Sequence, residues 1–274
     1  MHWITSRFDI DLTTPRIMAI VNVTPDSFSD GGQFDSLASA LSRCEQVLKD
    51  GADILDIGGE STRPGSPVVP LELELARVLP VVREAVKLGV PVSVDTYKPE
   101  VMRAVLDAGA DIVNDIWALR QTGALDVIAG HPRCGVCLMH MHRDPQTMQV
   151  APMEGDVLPA VTTFLRERAE ALRARGVDPM RITLDPGIGF GKTVAQNFSL
   201  LSRQQALVDL GYAVLAGWSR KSSIGAVTGQ SVAQERVAGS VAAAVLSVLR
   251  RAAIVRVHDV RETADAMAVI RASR

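Results

Sequence analysis

Short apolar runs alternate with longer amphipathic stretches along the whole chain. The apolar runs fall at 17–22, 52–57, 90–95, 111–114, 135–139, 182–185, 213–217 and 254–258. Each is brief and rich in Val, Ile, Leu or Ala, as expected of strands buried on both faces of a parallel sheet. Between them the apolar spacing turns helical, predicting helices over 37–49, 71–87, from Pro99, up to 175, over 221–228, 232–249 and 262–272. Ser36 reads as the N-cap of the first, Gly51 as its stop, and Pro99 suits a first helical turn. The junctions GADILDI at 51–57 and GADIVNDI at 109–116 are near repeats. One strand-helix unit is therefore being reused. Eight such units within 274 residues predict a single-domain (β/α)8 TIM barrel over 1–274. A short cover strand or hairpin is expected over 3–11. A doubly wound open sheet is the alternative, but it usually carries a phosphate loop after its first strand, and none is present.

The stretch 182–192, ITLDPGIGFGK, sharpens this picture. Ile182 and Leu184 belong to a strand, which Pro186 and Gly187 end. Asp185 then stands at the carboxyl lip of a strand, where enzymes built on parallel sheets put polar groups. The plainer reading makes Asp185 the cap of the next helix. Two nucleotide motifs fail here. A phosphate loop ending at Gly191-Lys192-Thr193 needs Gly at 186, which is Pro. The dinucleotide spacing fails because position 192 is Lys.

The other strands end in the same manner, at Asn22, Asp56, Asp95, Asn114, Met139, Gly217, Arg256 and His258. In a barrel these line one mouth, and buried polar groups are costly without partners. A ligand supplying those partners is expected. Asp95, Asn114 and Asp185 suit the donor-rich edge of an amino-oxo-pyrimidine ring, since a carboxylate accepts paired N–H bonds well. Arg256 and His258 are two apart, so they share a strand face. With Asn22 they form a clamp for an anion or a metal-bound phosphate. Lys221, at a helix start, adds a second anion-attracting feature.

Composition removes other classes. Hydrophobic residues make up 47% of the chain but aromatic ones only 4%, so the core is aliphatic. A net charge of -2 argues against a nucleic-acid partner. No apolar run reaches membrane-spanning length, and the first residues lack a secretory pattern. Three cysteines without framework spacing suit the reducing cytoplasm. Cys134, Cys137, His140 and His142 imitate a zinc motif, but residues three apart on a strand face opposite sides. These cysteines are expected in the core.

Four segments then carry a resemblance: IVNVTPDSFSDGG at 20–32, DIGGESTRPG at 56–65, LDPGIGFGK at 184–192 and GWSRKS at 217–222. Together they resemble the signatures of the dihydropteroate synthase family, and the likeness runs from about residue 17 to the end. It implies a transferase of folate biosynthesis. Such an enzyme joins 6-hydroxymethyl-7,8-dihydropterin diphosphate to 4-aminobenzoate, giving 7,8-dihydropteroate and diphosphate. The resemblance implies that Asp95, Asn114, Asp185, Gly217 and Lys221 hold the pterin, with Met139 and Phe190 against it. Asn22 would contact Mg2+ on the diphosphate. Thr62, Arg63, Arg256 and His258 would hold phosphate oxygens. Phe28, Pro64, Phe190, Lys221 and Ser222 would line the aminobenzoate pocket, and Asp30 would steady a developing cation. It also implies a cytoplasmic homodimer and a target for sulfonamides.

No serine or cysteine nucleophile beside a base is evident, and displacement of diphosphate needs none. Asp30, Lys221, Arg256 and His258 are the expected catalytic residues, acting by leaving-group stabilisation and positioning. Two rivals use a similar mouth: a methyltetrahydrofolate-dependent corrinoid methyltransferase and a non-catalytic pterin binder. The first has no need of the Arg256 and His258 clamp. The second would lack Asp30, Thr62 and Arg63.

Overall fold

The computed structural model describes residues 1–23, 33–62 and 65–273, the side chains of 33–36 excepted. Two short strands, β1 (His2–Ile4) and β2 (Asp9–Asp11), form an antiparallel hairpin. Eight more follow: β3 (Arg16–Asn22), β4 (Ile54–Gly58), β5 (Val92–Asp95), β6 (Ile112–Asp115), β7 (Gly135–Met139), β8 (Ile182–Asp185), β9 (Ala213–Ala216) and β10 (Ile254–Val257). All pair in parallel, and β10 joins both β9 and β3 to close the barrel. The expected (β/α)8 architecture is present, and closure leaves no open edge.

The helices are α1 (Gln33–Lys49), α2 (Leu71–Ala85), α3 (Pro99–Asp107), α4 (Ala124–Gly130), α5 (Leu158–Arg173), α6 (Val194–Ser202), α7 (Gln205–Val208), α8 (Ser222–Thr228), α9 (Val237–Leu249) and α10 (Val260–Ala272). Helix α1 starts at Gln33, so Ser36 lies within the helix rather than capping it. Helices α4, α6 and α7 were not anticipated. They have 7, 9 and 4 residues, too few turns for a clear periodic stripe. Asp185 does not cap the next helix. Thr193 does, through a capping box with Gln196.

Period-two alternation divides every strand between two environments. Val92, Val94, Leu184 and Val255 face the helices. Met18, Ile54, Ile112, Cys137, Leu215 and Ile254 fill the barrel's lower interior. Trp3 of the hairpin is fully buried against that layer, and its Nε1 donates to the carbonyl of Arg181 at 3.0 Å. Arg7 latches the hairpin from outside, its Nη2 donating to the buried carboxylate of Asp111 at 2.6 Å. The floor is thereby sealed and the opposite end is left to the loops. Cys134 packs in the shell under the helices and Cys137 inside the barrel, so the two thiols diverge as expected.

Candidate active site

One step further along the same inward rows, the residues turn polar. Asp56 follows Ile54, Asn114 follows Ile112 and Arg256 follows Ile254. Asp56 is fully buried and accepts from Ser93 Oγ at 2.6 Å, Arg256 Nε at 2.6 Å and Asn114 Nδ2 at 3.2 Å. The same guanidinium donates through Nη2 to Asp95 at 2.7 Å. Two carboxylates thus share one cation. Burial, with Asp56 close by, pushes the Asp95 carboxyl up to about 7 in spite of Arg256.

The expectation joined Arg256 to His258 in an anion clamp. In the structure Arg256 is engaged by Asp56 and Asp95, while His258 is tied elsewhere. Its Nδ1 lies 3.1 Å from Ser219 Oγ, and its backbone N–H donates to that same oxygen at 3.1 Å. A serine beside an imidazole was not anticipated. Because this hydroxyl also holds a backbone N–H, it works as a latch between two loops. Asn22 ends β3 at the mouth, partly buried. A Cβ at Gly58 would lie 3.9 Å from Asn22 Oδ1 and 3.6 Å from Asp95 Cβ, so the two side chains flank one gap.

The other side of the mouth is built differently. Asp185 is buried, and its Oδ1 accepts the N–H of Gly187 at 2.7 Å. Burial raises its carboxyl above the ordinary carboxylate range. Its Oδ2 faces the gap at Gly217, where a Cβ would come within 3.8 Å. Gly187, at φ 66, could be nothing else: a Cβ would sit 1.9 Å from the carbonyl oxygen of His140. Lys221 crosses the resulting loop. Its Nζ donates to the carbonyl of Ile188 at 2.5 Å and lies 4.3 Å from the Phe190 ring centroid. Burial lowers that ammonium to about 8. Met139 and Phe190 join Ile116, Met141 and Met148 in an apolar cluster, with Tyr97 and Trp117 at its edge.

Thr62 is partly buried on the loop after β4, and Ser222 is the exposed first residue of α8. Phe28, Asp30, Arg63 and Pro64 lie outside the described residues. The structure adds residues to which no role was given. Asp56, expected at the mouth as a strand end but with no role of its own, centres the polar network. Asp115 faces away from the mouth and accepts from the N–H groups of Trp117 and Leu119, fixing the turn that carries Trp117. Lys192, first weighed only as part of a failed phosphate loop, is buried and donates to the carbonyls of Gly187, Phe190 and His140. It gathers the glycine loop around Asp185.

The arrangement suits a flat, nitrogen-rich ring: carboxylates and an amide on its edge, thioether and aromatic groups on its face, and a lysine beside it. The family model described as pterin binding enzyme matches residues 18–258. A dihydropteroate synthase of Neisseria meningitidis serogroup B is 50% identical over 272 residues, covering 97% of this chain and 95% of its own. The chain belongs to the dihydropteroate synthase family of pterin-binding enzymes. Solved dihydropteroate synthases superpose closely. One from Xanthomonas albilineans, with 4-aminobenzoic acid, has a TM-score of 0.92 at 50% identity, covering 97% of this chain and 95% of its own. One from Burkholderia cenocepacia, complexed with 7,8-dihydropteroate, has a TM-score of 0.90 at 50% identity, covering all of this chain and 96% of its own.

Proposed function

We propose that this chain condenses 6-hydroxymethyl-7,8-dihydropterin diphosphate with 4-aminobenzoate to give 7,8-dihydropteroate and diphosphate. Asp185 carries the reading. It is a buried carboxylate at the barrel lip with one oxygen held by backbone and the other facing the gap at Gly217. A pterin edge supplies the N–H donors that such an oxygen lacks. Asp95 and Asn114 extend the same edge, Met139 and Phe190 pack on the ring, and Lys221 stands beside it. In the reaction the methylene C–O bond breaks and a C–N bond forms to the arylamine, which gives up a proton. His258, Thr62 and Arg63 hold departing phosphate oxygens. Arg256 keeps Asp56 and Asp95 in place and adds positive charge near the departing group. The family resemblance assigns Phe28, Pro64 and Ser222 to the aminobenzoate pocket and Asp30 to steadying the developing cation.

Mg2+ belongs to this reading as a companion of the diphosphate. Asn22 offers a single amide oxygen at the mouth, and the described residues contain no group of three or more His, Cys, Asp or Glu that could hold a metal. Such a donor set fits an ion coordinated mainly by substrate oxygens and water rather than a resident one. When bound, the ion neutralises charge on the leaving oxygens. A homodimer and a cytoplasmic location complete the proposal. Exposed Leu246 and Leu249 on α9 support the first. Three buried free cysteines support the second. Among the described residues no helix is long and apolar enough to cross a membrane.

Mixing the protein with Mg2+, the pterin diphosphate and 4-aminobenzoate is expected to release diphosphate and form dihydropteroate one for one. A chelator slows the reaction, and sulfonamides, which share the shape and charge of 4-aminobenzoate, compete with it. Methyl transfer from methyltetrahydrofolate to a corrinoid, with no diphosphate released, would overturn the assignment.

A further inference from the structure

Arg220 stands between Ser219 and Lys221 with φ at 60°, a left-handed conformation that side chains other than Gly and Asn seldom adopt. Non-glycine residues persist there only when their surroundings over-determine them. Four hydrogen bonds do so here. The Arg220 N–H donates to Ser240 Oγ of α9 at 2.8 Å. The Arg220 carbonyl accepts from Arg236 Nη1 at 2.9 Å. The guanidinium forks onto Asp259, Nε at 3.1 Å and Nη2 at 2.5 Å. Asp259 is buried.

The consequence lies on either side of the fork. The next residue, Lys221, returns to extended backbone (φ -64°, ψ 152°) and carries its ammonium to Ile188 and Phe190. Asp259 directly follows His258, which is laced to Ser219 by its ring and its backbone. The loops after β9 and β10 are thus joined twice, at 219 with 258 and at 220 with 259. The lysine beside the pterin and the histidine beside the phosphates come from different strands yet are held as one unit.

We infer that Asp259 is a positioning residue that, through Arg220, sets Lys221 and His258 at their working separation. The inference rests on the proposed pterin diphosphate site, and it assigns Asp259 no contact with substrate. Asp259→Asn keeps the shape and removes the charge that holds the fork. The test is a double-mutant cycle read by calorimetric titration with pterin diphosphate. Asp259→Asn is expected to weaken binding about tenfold in the native background and clearly less in a Lys221→Met background, where only the share acting through His258 remains. Asp259→Glu, which keeps the charge, recovers most of the loss. Arg220→Lys, which keeps charge but lacks the fork, behaves like Asp259→Asn and serves as the second variant where Asp259→Asn fails to fold. Equal losses in both backgrounds would reduce Asp259 to a general structural role and overturn the inference, as would no loss at all. The cycle reads binding alone, so failure of the native chain to condense the two substrates would overturn only the proposed reaction.

Discussion

The floor and the mouth of the barrel are made by the same strands, one inward position apart. At the floor β4, β6 and β10 present Ile54, Ile112 and Ile254, sealed by Trp3. At the mouth they present Asp56, Asn114 and Arg256. The floor needs nothing further, because apolar side chains are satisfied by packing alone. The mouth divides again. On the side of Asp56 and Asp95, Ser93, Arg256 and Asn114 all donate to Asp56, and Arg256 also holds one oxygen of Asp95. On the side of Asp185 and Lys221, the partners are backbone groups of one glycine-rich loop. Asp56, with three donors, acts as scaffold, and Asp95 and Asp185, each held through one oxygen, are the ones left to read a ligand.

The largest expected effect tests the floor. Trp3→Ala removes a fully buried indole and its hydrogen bond to Arg181. Stability by urea unfolding should drop by roughly 3–5 kcal/mol. Pterin diphosphate affinity of the remaining native protein should stay within about twofold, because distant sites act independently. A variant that keeps its stability but loses its ligand would erase the division between floor and mouth.

Asp185→Asn should do the reverse. It replaces a charged acceptor with an amide whose donor faces the donors of the pterin edge. Pterin diphosphate affinity should fall by about 2–4 kcal/mol in calorimetric titration. Burial raises the Asp185 carboxyl in the free protein, so removing its charge should leave stability unchanged or higher. An unchanged dissociation constant would remove Asp185 from the ligand.

Much of this contrast was legible along the chain. Short aliphatic runs locate the strands, and period two identifies which strand-end residues share the interior. Asp185 and Gly217 come from β8 and the end of β9, neighbours in both sequence order and space. What stayed hidden depends on closure. Arg256 reaches Asp56 across 200 positions and Asp95 across 161, contacts that exist only because β10 completes the ring beside β3. Its assignment to a phosphate clamp came from strand alternation, which gives the facing but not the partner. Lys192 was equally hidden. A lysine after glycines reads as exposed, and only the fold surrounds it with three carbonyls. The unpatterned stretch before α5 conceals Met148, which is buried at the mouth, and Gln149, whose side chain donates to Gly189 at 2.6 Å. Such loop contacts follow no period.

The smallest effect concerns pH and separates binding from stability at a single residue. Burial holds the Lys221 ammonium near 8, against an ordinary value of 10.5, although Asp185 opposes the shift. The charge that Lys221 offers the pterin diphosphate is therefore present below about pH 8 and lost above it. Between pH 8 and 9.5, affinity for pterin diphosphate should fall on the order of tenfold, and Lys221→Arg should flatten that decline because a guanidinium does not titrate there. For stability the sign is opposite. The folded-state pKa lies below the unfolded one, so from about pH 8 to 10.5 the unfolded chain binds more protons and the contribution of Lys221 to stability rises with pH. Titration calorimetry and urea unfolding across this window should give opposing slopes in the native chain, with the Lys221 part of both removed in Lys221→Arg. Parallel slopes, or a decline in affinity that survives the arginine, would place the titrating group elsewhere and return Lys221 to the scaffold side of the mouth.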